Sequence, residues 1–178
     1  MSLRKHYTSA VIPKLQKELK KNVNALPRLD KVVVNMGIGS LVTGGQKDYS
    51  LFEKHLTLIT GQKPVLSKSR VAISNFKLRE GLPVGLTVTL RGQRMYDFLE
   101  KLIHVVLPRV RDFQGLRAKS IDQAGNFNRG LKEQSLSPEI VQDDVIKTHG
   151  IQITVVTKTK SPEDSLLLLQ NIGFPFHK

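Results

Sequence analysis

Between positions 84 and 91 apolar residues alternate with small, hydroxyl and cationic ones. Val84, Leu86, Val88 and Leu90 fall against Gly85, Thr87, Thr89 and Arg91. A period of two predicts a strand with one oily face and one cationic, hydrogen-bonding face. The stretch LDKVVVNM at 29–36 repeats the arrangement, with Val32, Val34 and Met36 on one side and Lys31, Val33 and Asn35 on the other. IQITVVTK at 151–158 alternates again, and 64–73 reads as a further, irregular strand. A long basic tip at 75–83, with Gly81 and Pro83 as turn residues, joins that strand to 84–91.

Four segments carry the helical period instead. At 8–21, Tyr7, Val11, Leu15 and Leu19 form one stripe, and Pro13 requires the helix to begin close before it. Lys14, Lys17, Lys20 and Lys21 lie on or near the other side, either as a solvated surface or as an RNA contact. At 47–60, Leu51, Phe52, His55, Leu56 and Ile59 share a side, and Gly61 fits the C-terminal cap. At 93–107 the stripe is Met95, Phe98, Leu99, Leu102 and Val106, with Pro108 as the stop. Ser161-Pro162-Glu163-Asp164 signals a helix start, followed by the leucines at 166–169, Ile172 and Gly173.

Gly37, Gly39, Gly44 and Gly45 predict a flexible loop. The order from residue 29 is strand, helix, strand, strand, helix, insertion, strand, helix. This predicts an α+β fold of the ferredoxin-like split βαβ type: an antiparallel sheet with helices on one face, preceded by an N-terminal helix. The irregular insertion at about 109–150 is too polar for a second domain, so residues 1–178 read as one domain. The other sheet face stays open, with Lys31, Asn35, Thr87, Thr89 and Arg91 pointing that way.

Charge sharpens this picture. Of 178 residues, 28 are Lys or Arg and 15 are Asp or Glu, a formal balance of +13. Such an excess repels itself and answers to a partner. It is spread along the chain and not gathered in one amphipathic helix, which favours nucleic acid over a membrane or acidic protein. With no cysteine there is no disulfide framework or thiolate zinc site. The N-terminal stretch lacks the apolar core of a signal peptide, and no run approaches the ~18 apolar residues of a membrane span. A soluble, cytoplasmic protein is expected.

Catalytic readings fail on spacing. Gly37-Ile38-Gly39 follows a strand, but Val42 stands where a dinucleotide fingerprint needs glycine. No P-loop or GxSxG elbow occurs, and the five histidines are scattered without partners at metal spacing. Asp143-Asp144 and Glu163-Asp164 read as loop and cap acids. The expectation is no enzyme, no cofactor and no metal. The strands offer Lys, Asn, Thr and Arg but no aromatic, so base stacking of the usual sheet-type RNA module is not the mode. Recognition of folded RNA by backbone, 2′-hydroxyl and shape fits this face. A solvated face with Thr chosen for strand propensity is the alternative. The tip mixes Phe76 and Leu78 with Lys77 and Arg79, and either touches a partner or folds back. A nucleotide-using enzyme would need a pocket with a converging base or acid. A DNA- or RNA-binding regulator stays open as the other function.

A series of motifs runs in order through nearly the whole chain: KVVVNMGIG (31–39), ITGQKP (59–64), FKLREGLPVG (76–85), VTLRG (88–92), LPRVRDFQG (107–115), GNFNRGLKE (125–133), PEI (138–140) and GFPF (173–176). Together they resemble the bacterial form of large-subunit ribosomal protein five, the 5S-rRNA-binding family of the central protuberance. The resemblance implies a structural role. Its partners are 5S rRNA, large-subunit rRNA, P-site tRNA, other proteins of the central protuberance and a protein of the small-subunit head. It places 5S rRNA on Asn35, Gln62, Lys63 and Thr89, with Lys31, Lys68, Ser69, Arg70 and Arg91 as phosphate neighbours. It assigns the tRNA contact to Asn75, Phe76, Lys77, Leu78, Arg79, Glu80 and Gly81. The small-subunit contact falls within 109–145, at Arg109, Arg111 and Asp112. Ile121 stands where the family usually has an aromatic, and Gln123-Ala124 replaces a small, basic pair.

Overall fold

Pro13 lies inside the first helix, and the chain accommodates it with a widened turn. In the computed structural model, which describes residues 2–44, 49–111, 113–133, 136–140, 149–159 and 161–177, α1 runs as Leu3–His6, then a wide turn at Tyr7–Val11, then Ile12–Leu19. Proline has no N–H to give and crowds the carbonyl four residues back; widening the preceding turn relieves both problems. The helix therefore starts well ahead of Pro13, not close before it as the sequence suggested. Lys20, in the left-handed region at φ 50°, ends it.

Among the described residues five strands follow: β1 (Arg28–Gly37), β2 (Val65–Lys68), β3 (Pro83–Leu90), β4 (Phe127–Leu131) and β5 (Ile151–Lys158). They form one open antiparallel sheet in the order β2-β3-β1-β5-β4. The helices are α2 (Gly39–Thr43), α3 (Ser50–Thr60), α4 (Gly92–Lys101, carried on through Leu102–Val106 and Leu107–Arg109) and α5 (Pro162–Ile172). This is the expected α+β, ferredoxin-like arrangement, with four local corrections.

The glycine loop after β1 contains α2: Ile38 N–H donates to Val84 O, and Leu41 and Val42 N–H donate back to Ile38 O. The strand expected over 64–73 ends at Lys68. Its pairing with β3 shifts between Ser67 and Lys68, where the partner is Pro83, a residue with no N–H for the ladder. Pro108 does not stop α4; it is accommodated at the start of the tight turn Leu107–Arg109, where a missing N–H costs little. The insertion holds an edge strand, β4. Its Asn and Gly residues read locally as turn formers, and pairing with β5 overrides them. Positions 47 and 48 of the expected second helix, and Asp143 and Asp144, lie outside the described residues.

The chain forms two compact units: residues 1–32, 90–129 and 154–178 make one, and 33–89 with 130–153 the other. In the first, α1 packs on α4 and α5, burying Leu15, Leu99, Leu168 and Leu169 completely. Burial of each such leucine stabilises by roughly 1.5–3 kcal/mol. Tyr7 and Tyr96 lie 5.7 Å apart between α1 and α4. Burial pushes the Tyr7 phenol up to about 12, and Tyr96 adds to the rise against Arg28 and the Leu29 backbone. Phe127, Phe174 and Phe176 pack edge to face or tilted beside β4. Ser161 caps α5 by accepting from Asp164 N–H at 3.3 Å, and Lys21 reaches Asp164 at 2.6 Å. In the second unit Val34, Met36, Ile38, Phe52, Leu56, Leu86, Val88, Ile151 and Ile153 are buried, with His149 edge-on to Phe52 at 4.6 Å.

Candidate nucleic-acid interface

The burial of β1 and β3 sorts their residues as the alternation predicts. Val32, Val34, Met36, Leu86, Val88 and Leu90 are buried, while Lys31, Asn35 and Thr87 are half-buried and Thr89 is exposed. A strand's side chains alternate between faces, so the second set shares the solvent face. Among the described residues, no strand presents an aromatic side chain on that face.

In the second unit, Thr87 Oγ1 donates to Asn35 Oδ1 at 2.6 Å across the neighbouring strands. The bond takes one lone pair of the carboxamide oxygen and does not use the NH2 group, so Asn35 keeps its donors. Thr87 was placed on the open face from sequence but not among the RNA-binding residues. Its signal was there, since it falls on the polar phase of β3 directly before Thr89. Gln62 is placed by the end of α3. Gly61 adopts φ +67° and closes the helix, and Thr60 Oγ1 accepts from Gln62 N–H at 3.4 Å. Gln62 Nε2 then donates to Thr89 O at 3.4 Å. Lys63 pairs with Glu53 at 3.6 Å yet keeps 83% of its side chain exposed, so the pair is loose and the charge remains available.

Lys68 and Arg70 are exposed on the limb beyond β2. Ser69 is part of the turn itself. Its hydroxyl donates to Val71 O at 2.8 Å, its N–H donates to Leu82 O, and its carbonyl accepts from Gly81 N–H. These bonds clamp the base of the tip. At its end Ile73 and Leu78 exchange backbone bonds of 2.9 and 3.1 Å around the turn Ser74–Phe76. Leu78 is half-buried, whereas Phe76 is 70% exposed. Asn75, Lys77, Arg79, Glu80 and Gly81 are exposed beside it. The tip is largely exposed, and its apolar residues do not all fold back.

In the first unit, Lys31 is half-buried on β1. Arg91 Nη1 lies 3.6 Å from Asp30 Oδ2, and Lys158 Nζ lies 3.3 Å from Asp30 Oδ1. One carboxylate thus sits between two cations that stay 58% and 74% exposed. Arg109 and Arg111 are exposed at the end of α4, and Asp112 lies outside the described residues. The described residues contain no group of three or more His, Asp or Glu able to hold a metal ion, and no helix long and apolar enough to cross a membrane.

The fold is that of an α+β protein with an open sheet whose described strands carry polar, cationic and no aromatic side chains on their solvent phase. Residues 22–79 match the family model described as ribosomal protein L5, and residues 83–176 match the model of the C-terminus of the same ribosomal family. The chain is 47% identical over 180 residues to the large ribosomal subunit protein uL5 of Thermotoga maritima, covering 99% of this chain and 96% of that one. It is 49% identical over 175 residues to the uL5 of Fusobacterium nucleatum, covering 98% and 95%. It is 46% identical over 175 residues to the uL5c of Tetradesmus obliquus, covering 98% and 97%. The chain belongs to the ribosomal protein L5 family, in its bacterial type. This is a family of structural ribosomal proteins, and the chain is not an enzyme.

Proposed function

We propose that this chain is a constituent of the large ribosomal subunit in the cytoplasm, where it binds 5S rRNA and helps to assemble the central protuberance. Asn35, Gln62 and Thr89 give fit through neutral hydrogen-bonding groups. Lys31, Lys63, Lys68, Arg70 and Arg91, with Ser69, meet phosphates. The observation that carries the reading is the Thr87–Asn35 bond on an aromatic-free sheet face. It preorganises an amide donor where a phosphate or 2′-hydroxyl oxygen can accept, without calling for base stacking.

The exposed tip at 75–81 reaches the P-site tRNA, Phe76 included. Arg109, Arg111 and Asp112 contribute to contact with a protein of the small-subunit head, and other proteins of the protuberance and large-subunit rRNA complete the surroundings. Residues 1–178 act as one functional body on the particle. Cosedimentation tests the reading: the tagged protein should travel with large subunits and 5S rRNA. Recovery free of both, or with duplex DNA in preference to folded RNA, would overturn it.

A further inference from the structure

A half-open cavity of about 280 Å³ lies in the first unit, between α1 and the chain that leads into β1. Its walls are mostly apolar. Ile12 and the fully buried Leu15 come from α1, and Leu26 and Pro27 from the other side. The turn Val23–Ala25 carries Val23 to the mouth, where it stays 45% exposed. The wide turn Tyr7–Val11 contributes Tyr7 to the wall. Such widened turns often mark functional sites. None of the lining residues is a proposed RNA or tRNA contact, so this cavity stands apart from that reading.

Two polar groups interrupt the lining, Tyr7 and Arg28. The Leu29 N–H donates to the Tyr7 oxygen, and the Arg28 charge acts on the same phenol, so the two groups are neighbours. Tyr7 keeps its proton at neutral pH, and among the described residues no acceptor meets it. Arg28 uses Nη2 to hold the turn, donating to Val23 O at 3.1 Å and to Asn24 Oδ1 at 3.2 Å. Its Nη1 and Nε donors meet no acceptor among the described residues. A hydroxyl proton and a guanidinium beside an apolar space match an anionic head on an apolar body.

We propose that this cavity is a binding site for a small apolar monocarboxylate. Its chain or ring lies against Ile12, Leu15, Val23 and Leu26, and its carboxylate accepts from Tyr7 and Arg28. One guanidinium balances one negative charge, and its planar fork suits a carboxylate. An apolar cavity of about 150 Å³ takes benzene, so this one suits a body of roughly 9–13 heavy atoms.

Methyl NMR titration of the full chain with octanoate and with octanol tests it. Octanoate should shift the Ile12, Val23 and Leu26 methyls saturably and bind about 5–10-fold more tightly than octanol, although octanol is the more apolar. Arg28→Gln should remove that preference, and Tyr7→Phe, which keeps the ring, should weaken octanoate about 3–10-fold. Val23→Trp, at the exposed mouth, should abolish binding of both. Octanol binding as tightly as octanoate to the parent would overturn the site. So would octanoate shifts that never saturate, or that survive Val23→Trp, since those report loose attraction to the basic surface.

Discussion

Thr87 Oγ1 donates to Asn35 Oδ1 at 2.6 Å, and the bond leaves the Asn35 NH2 group to donate elsewhere. A free carboxamide presents donor and acceptor with equal ease. With one lone pair of its oxygen held by Thr87, Asn35 keeps its NH2 donors. Thr87 is thus a positioning residue, and its role can be separated from direct contact. Asn35→Ala should lower 5S rRNA affinity about 10-fold, the scale of one hydrogen bond to a charged group. Thr87→Val should lower it about 3–10-fold, and Thr87→Ser should restore it. Binding that is indifferent to Thr87→Val would mean that the orientation of Asn35 does not matter.

The tip at 75–81 is separable from the sheet. Phe76 is 70% exposed, so Phe76→Ser should change unfolding free energy by no more than about 0.5 kcal/mol. Deleting 76–80 should spare 5S rRNA binding and disturb tRNA in the P site, as read by chemical footprinting on reconstituted ribosomes. Loss of 5S binding on trimming would show that the tip belongs to the RNA grip.

Gly125 is held for two reasons at once. Its φ is +82°, and an added Cβ would collide with the Thr159 methyl. Its carbonyl is fixed by Ser165 Oγ at 2.5 Å and Thr157 Oγ1 at 2.8 Å. Gly125→Ala should therefore destabilise by about 2 kcal/mol or more in urea unfolding, combining backbone strain with overpacking. A shift under half that size would mean the 122–126 turn relaxes freely.

Tyr7 sets a pH dependence at the alkaline end. Its folded pKa of about 12 exceeds the ordinary 10.0 of the unfolded chain. Between those values the unfolded state binds fewer protons, so stability falls as pH rises. The contribution is fully present below pH 10 and is lost as pH climbs toward about 12. Ultraviolet phenolate titration should show a late-ionising tyrosine that disappears in Tyr7→Phe. An unchanged late phase in that variant would assign it to another ring.

Much of the fold was legible because period and caps agree. The two-residue alternation of β1, β3 and β5 and the Ser161-Pro162 start of α5 correspond to the elements found. What was hidden depends on partners distant in sequence. β4 is five residues containing Asn and Gly, and only β5 makes it a strand. The turn that accommodates Pro13 is a backbone device that no side-chain pattern announces. On the site, the sorting of Lys31, Asn35 and Thr89 onto the solvent side followed from alternation. The Thr87–Asn35 bond did not, since it joins different strands.

The central claim is that a preformed cationic sheet surface, without base stacking, holds folded RNA. Its most direct measurement is the affinity of the full chain for 5S rRNA across a salt series, set beside Thr89→Arg and Asn35→Ala. With roughly 6–10 phosphates neutralised, log affinity should fall steeply and linearly with log salt, and both variants should bind more weakly with unchanged melting. A flat salt response, or parental affinity in both variants, would contradict the account.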